Sequence, residues 1–523
     1  MAATRRALEI PEILHVIFSS LGAQHTYTPE DYENPPPFSF EFTFDPENQV
    51  TLARASRCCR KFCSPALDAL WRAMDSIVPL FSLVGLVRRP DDDVYAIETG
   101  FQSSQWVRLE SYASRIRHLS CKDAPTIQNF VVVRIAQHMR GRCLLPSLKS
   151  LSHPFTTYTI LLISPHLRHI SILNNEEDLD IPDIPQGIDF LMTLKSEVPL
   201  LQDFVTSVSW TPQQGLPAVL STFHHLHSLE INDASSLDRS GLTHVFTLPS
   251  LIYLELQLGR SHTRFSPPAR TQHHNLRSLK VTGRSSVVGG ILASLVDVPL
   301  HTLEITYLVS RVDADKSLEG LWRTHIHQLS PWTNSLLSLK IDDKRKNNDK
   351  SPIRGIPLLQ PLLKFRQLQT VDFYASLYLD PDDDDYHTLA KSWPQITYLV
   401  LDFYLHRVTQ RPRATIATLK TFAQHCPALT DLTLCIDINH LPKTPSVLSH
   451  PLEYLVITTR VVFNHASVAR HLDAIFPELE SVVALLVGHH DEPQEEDWRQ
   501  DWLQVEQILQ VCQQVREDVE KRE

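Results

Sequence analysis

Leu226-His227-Ser228-Leu229-Glu230-Ile231 returns as Leu251-Ile252-Tyr253-Leu254-Glu255-Leu256, then as Leu276-Arg277-Ser278-Leu279-Lys280-Val281 and Leu300-His301-Thr302-Leu303-Glu304-Ile305. The starts fall 25, 25 and 24 residues apart. Looser forms of the phrase bring its occurrences to fourteen between Ile116 and Val482. A period in this range marks a stack of strand-and-helix units, an architecture suited to binding rather than catalysis.

Positions three apart also share a helical face, so the phrase needs a second test. Leu229-Glu230-Ile231, Leu279-Lys280-Val281, Leu303-Glu304-Ile305 and Leu339-Lys340-Ile341 each set a charge between two apolar residues. That alternation sends apolar side chains to one sheet face and charges to the other. Nine units place a proline one or two residues before the phrase: Pro146, Pro165, Pro199, Pro249, Pro299, Pro394, Pro427, Pro451 and Pro477. Proline ends a preceding helix and extends its own predecessor. Helix-like stretches lead into these prolines, with Ile291, Leu292, Leu295 and Val296 before Pro299 and Val468, Leu472, Ile475 and Phe476 before Pro477. The unit is helix, proline, strand, loop.

The pattern resembles leucine-rich repeats over about 370 residues, from Ile116 to Gly488. The resemblance implies an α/β fold, an irregular solenoid or horseshoe across residues 111–490. Later starts at Leu336, Leu368, Ile396, Leu429, Leu452 and Leu479 are unevenly spaced. The Asn or Cys that the family places three residues after the third apolar position is replaced by Ala234, Gly259, Arg284 and Leu308, which favours an irregular array. Fourteen strands at about 4.8 Å would line an inner arc of roughly 60 Å, suited to a folded protein or a long peptide. Residues 495–523 read as one amphipathic helix with Trp498, Trp502, Val505, Leu509 and Cys512 on a three-four spacing. It is expected to close the array; a partner-binding helix is the alternative.

A different pattern precedes the repeats. Pro11 and Glu12 open a helix whose stripe is Ile13, Leu14, Ile17, Phe18 and Leu21. A second amphipathic segment runs from Val50 to Phe62 with Leu52, Ala55, Cys59 and Phe62 on one side, and a third after Pro65 carries Leu67, Leu70 and Trp71. Ile10-Pro11-Glu12-Ile13-Leu14, the Leu52–Phe62 block and Pro65-Ala66-Leu67-Asp68-Ala69-Leu70-Trp71 together resemble the F-box, in the variant found in the large family of mushroom-forming fungi. The resemblance implies a helical domain over residues 1–78 that docks on the Skp adaptor of a cullin-type ubiquitin ligase, followed by a connecting segment, 79–110. The docking residues it implies are Ile10, Pro11, Ile13, Leu14, Ile17, Phe18, Leu52, Cys59, Phe62, Leu70 and Trp71. The alternative is that these helices only cap the open end of the stack. Residues 22–49 form an insertion, rich in proline and acid and then carrying Phe38, Phe40, Phe42 and Phe44. It reads as a surface loop or as a strand.

The net charge of −11 argues against a nucleic-acid partner. No apolar run of signal-peptide or membrane-spanning length occurs, so the expected location is cytoplasmic, nuclear or both. Eight cysteines without a C-x-x-C pair read as reduced thiols. Most of the 26 histidines are expected on the surface, and they form no zinc-binding spacing. Cys58, Cys59 and Cys63 read as packing, Asp380 to Asp385 as a solvated loop rather than a calcium site, and Lys344-Arg345-Lys346 as a weak nuclear-import signal. No phosphate loop, dinucleotide fingerprint or nucleophile elbow is present, so neither catalysis nor a cofactor is expected. An enzyme whose site is assembled from distant repeats is the weakest of the readings.

Overall fold

The computed structural model describes residues 10–25, 42–89, 94–97, 102–174, 184–211, 214–234, 237, 239–259, 275–308, 318–343, 353–375, 377, 379–403, 412–457, 464–484 and 495–520. The chain forms two compact units, Met1–Gly259 and Arg260–Glu523.

In the first unit, β1 (Ala73–Met74), β2 (His118–Ser120), β3 (Ser150–Pro154), β4 (His169–Leu173), β5 (Asp203–Thr206), β6 (Ser228–Ile231) and β7 (Tyr253–Gln257) pair in that order, all parallel. The second unit repeats the plan with β8 (Ser278–Gly283), β9 (Thr302–Tyr307), β10 (Ser338–Asp343) and β11 (Thr370–Ala375), followed by β12 (Tyr398–Phe403), β13 (Asp431–Leu434), β14 (Tyr454–Ile457) and β15 (Ser481–Ala484). Each of the fourteen phrases falls on a strand, β2 to β15. The strand that sequence reading missed is β1, whose two residues are too short to show alternation.

Register aligns the middle apolar position of every phrase. Leu119, Leu151, Ile170, Phe204, Leu229 and Leu254 stack in one unit, and Leu279, Leu303, Leu339, Val371, Leu399, Leu432, Leu455 and Val482 in the other. All are buried. Burying such a side chain contributes about 1.5–3 kcal/mol, and a slip of one residue would expose the whole row. Helices supply the opposing apolar layer, as in Ser285–Ser294, which buries Val287, Val288, Ile291 and Leu292.

Four tryptophans anchor this layer. Trp210, Trp322, Trp332 and Trp393 are buried, and each indole N–H finds an acceptor: Thr206 Oγ1 at 2.9 Å, Asp343 Oδ2 at 2.6 Å, the Val298 carbonyl at 2.7 Å and the Leu362 carbonyl at 3.1 Å. Each bond offsets the cost of taking an indole donor out of water. The C-terminal helix Glu495–Glu520 packs on helix His465–Ile475 and on β15. It buries Trp502, Val505 and Leu509, while Gln513 Nε2 donates to the carbonyls of Pro477 and Leu479 at 3.3 and 2.8 Å.

Four histidines depart from the expected surface placement: His153, His325, His450 and His471 are all buried. His153 sits on β3 with Nδ1 against the Pro154 carbonyl at 2.5 Å, Nε2 without a partner and the Tyr158 ring at 5.3 Å. Burial pushes its pKa down to about 4. The unfolded chain protonates this side chain near pH 6.5, so it takes up the proton first as pH falls. The stability tied to neutral His153 is therefore fully present above pH 6.5 and lost between 6.5 and about 4. The expected loss is about 3 kcal/mol. Urea midpoints across this window should fall with acid, and His153→Leu should flatten that limb; equal slopes in both proteins would refute the assignment.

Candidate protein-docking site

The N-terminal segment folds as α1 (Pro11–Ser20), α2 (Pro46–Cys58) and α3 (Arg60–Trp71). Pro11 starts α1 where no backbone donor is needed, and Glu12 complements the positive end of the helix. Asp45 caps α2 by accepting from the Glu47 N–H at 2.9 Å. Asp45→Ala should cost about 1 kcal/mol, seen as faster amide exchange in the first turn of α2. Unchanged exchange there would refute the cap.

The second and third helices are divided differently from the sequence reading. The break falls at Cys59, which is extended (φ −159°, ψ 163°), and Pro65 lies inside α3. Proline forfeits one helical hydrogen bond, but here its ring is buried in the module and packing offsets the loss.

The core of the module is Leu14, Phe18, Leu52, Ala66 and Ala69, with Leu21, Ala55, Phe62 and Leu70 packed against it. Phe18 and Phe62 meet edge to face at 5.5 Å. This corrects the docking set implied by the sequence: Leu14, Phe18 and Leu52 are 1%, 6% and 1% exposed and hold the helices together, so no partner can reach them. Phe62 and Leu70 are half-buried on the same core, and Trp71 is half-buried against the Tyr112 ring at 4.6 Å. What remains open is Ile10, Pro11, Ile17 and Cys59, with Ile13 half-exposed between them.

Helical geometry explains the split. At about 100° per residue, Ile13, Ile17 and Ile10 occupy one side of the apolar stripe and Leu14 and Phe18 the other. The stripe is wider than the crevice between α2 and α3, so one edge is buried and the other faces solvent. Sequence reading also missed Val16 and Val50, 72% and 48% exposed, because Val16 lies off the stripe and Val50 on the outer side of α2. Both extend the exposed apolar set.

Within the insertion, Gln24–His25 and Phe42–Thr43 form an antiparallel pair, and the Phe42 ring lies 5.0 Å from His118 of β2. Phe38 and Phe40 fall outside the described residues, as do Lys344-Arg345-Lys346 and the side chain of Trp498.

Among the described residues no group of His, Cys, Asp or Glu is arranged to hold a metal. The run from Asp380 is not a solvated loop. Asp382 and Asp385 exchange backbone hydrogen bonds as a capping box on helix Asp383–Ser392, and Asp383 accepts from Thr415 and Thr418 at 2.6–2.8 Å. Its carboxylates serve the fold. All eight cysteines are free thiols. Burial raises the Cys426 thiol to about 12, which leaves it inert as a nucleophile. No helix among the described residues is long and apolar enough to cross a membrane.

No family model and no curated protein matches this sequence. Among solved structures, the crystal structure of the Rad7 and Elc1 complex in yeast is matched at 12% identity and a TM-score of 0.37, over 86% of this chain and 97% of that one. A likeness that low argues for no function.

Proposed function

We propose that this chain is a non-catalytic substrate-recognition subunit of a Skp–cullin–F-box-type ubiquitin ligase, with an F-box-like N-terminal module and leucine-rich-repeat strands that hold a target protein. The observation that carries the reading is the exposed edge of α1. Ile10 and Ile17 stay 43% and 41% exposed on a helix whose other edge is fully packed. An apolar helix edge left in water beside a completed core fits a surface that a partner covers. The ligase's chemistry belongs to other subunits, and this chain supplies proximity. It would act in the cytoplasm, the nucleus or both.

A free-standing interaction scaffold is the second reading. It is favoured by α3, which passes through Arg72 straight into β1, so that the helices directly flank the first strand. Co-purification with a Skp-type adaptor separates the two. Because Leu14 is core, the informative substitutions lie at Ile10 and Ile17. A folded chain that captures no adaptor would leave the scaffold reading.

A further inference from the structure

The residue immediately before each of the first four strands is a cation: Arg72, Arg117, Lys149 and Arg168. Backbone hydrogen bonds hold them in line. The Arg117 N–H donates to the Arg72 carbonyl at 2.9 Å, Lys149 to Arg117 at 2.7 Å and Arg168 to Lys149 at 2.8 Å. Neighbours therefore stand about 4.8 Å apart, one strand spacing. Arg72, Arg117 and Lys149 are exposed, and none of the three makes a side-chain ion pair or hydrogen bond among the described residues. Among the described residues the Arg168 guanidinium donates to the Leu167 carbonyl beside it, at 3.1 Å.

The strand stack does not require this. At the same position, β5 to β7 carry Gln202, His227 and Ile252. In the second unit β8 to β15 carry Arg277, His301, Leu337, Gln369, Thr397, Thr430, Glu453 and Glu480. Four like charges in succession occur only at the start, in a chain whose acids outnumber its Lys and Arg by 60 to 49. Elsewhere outward lysines are paired, as Lys280 is with Glu304 and Lys340 with Asp372.

The row opens onto two clefts. One of about 590 Å³ holds Arg72, Arg117 and Lys149 together with His15, Ser19 and Asp68. The other, about 310 Å³, adds His166 and Arg168 and shares Arg117 and Lys149. The acid in the first cleft, Asp68, is already held by Arg115.

We infer that this edge is a binding site for an extended protein segment bearing clustered anionic oxygens, either phosphorylated side chains or a run of Asp and Glu. Guanidinium forks and an ammonium at one-strand spacing let a single anionic group bridge two neighbours. Four cations span roughly 14 Å, which an extended peptide covers in four or five residues. Nucleic acid fits less well, because its binding rests on many phosphate contacts and the chain is net negative. The inference stands whether or not α1 docks an adaptor.

The test is fluorescence anisotropy of the full chain with a labelled peptide carrying two phosphoserines, the same peptide with glutamates there, the same peptide with serines, and a single-stranded oligonucleotide of equal charge. The phosphorylated or the glutamate peptide should bind, with affinity falling as salt rises, and their order identifies the anion source. Arg117→Glu with Lys149→Glu should weaken that binding about tenfold or more at 0.15 M salt, while Arg323→Glu, a charge reversal on helix Leu318–Gln328, leaves it intact. Adaptor capture should be the same in all three proteins. Tighter binding of the oligonucleotide than of either anionic peptide would overturn the inference. So would equal binding of the serine peptide, or no response to the charge reversal.

Discussion

Ile10→Asp with Ile17→Asp should abolish capture of a Skp-type adaptor by this chain, weakening the complex at least about 30-fold, equivalent to about 2 kcal/mol. Both side chains are more than 40% exposed, so the carboxylates stay in water in the free protein and the module keeps its circular dichroism and melting behaviour. In the complex the same carboxylates would be desolvated without partners, and that penalty drives the loss. Leu14→Asp serves as the contrast: it places an unpaired charge in the core formed with Phe18 and Leu52 and should unfold the module outright. Undiminished adaptor capture by the folded double variant would remove α1 from the interface.

Trp393→Ala should cost about 3–5 kcal/mol of unfolding free energy, measured as a shift in the urea midpoint. The indole is wholly buried between repeats, and its N–H donates to the Leu362 carbonyl at 3.1 Å. Its own carbonyl accepts from the Cys426 thiol at 3.6 Å, tying it to the next unit in sequence. Truncation opens a cavity that the neighbours cannot close, because strand register holds them in place. Trp393→Phe keeps most of the apolar burial and loses the donor with the smaller part of the ring system, so about 1–2 kcal/mol is expected. A cost below 1 kcal/mol for the alanine variant would show that the repeats relax around the gap.

How much of this was legible beforehand depends on how local the signal is. Leu229-Glu230-Ile231 announces a strand because its three residues alternate between apolar and charged, as they do in Leu279-Lys280-Val281, Leu303-Glu304-Ile305 and Leu339-Lys340-Ile341. Pro299 and Pro477 announce helix ends because proline acts on its own backbone. Ala73–Met74 could not be read, since two residues carry no period. The acidic run at Asp382 to Asp385 was misread because a capping box is a pair of hydrogen bonds across a turn, and the composition of that stretch also suits a loop.

For the candidate docking site, residue types alone located the three helices and the apolar stripe of α1. They could not divide that stripe, because Ile17 and Phe18 are equally apolar and only the crevice left by α2 and α3 selects Phe18 for the core. The cationic edge was invisible for the complementary reason. Arg72, Arg117, Lys149 and Arg168 stand far apart and unevenly along the chain, and the parallel register of β1 to β4 alone sets them side by side. Periodicity within a segment is written into its own residues, whereas the choice of covered face and the alignment of distant charges arise only when segments pack.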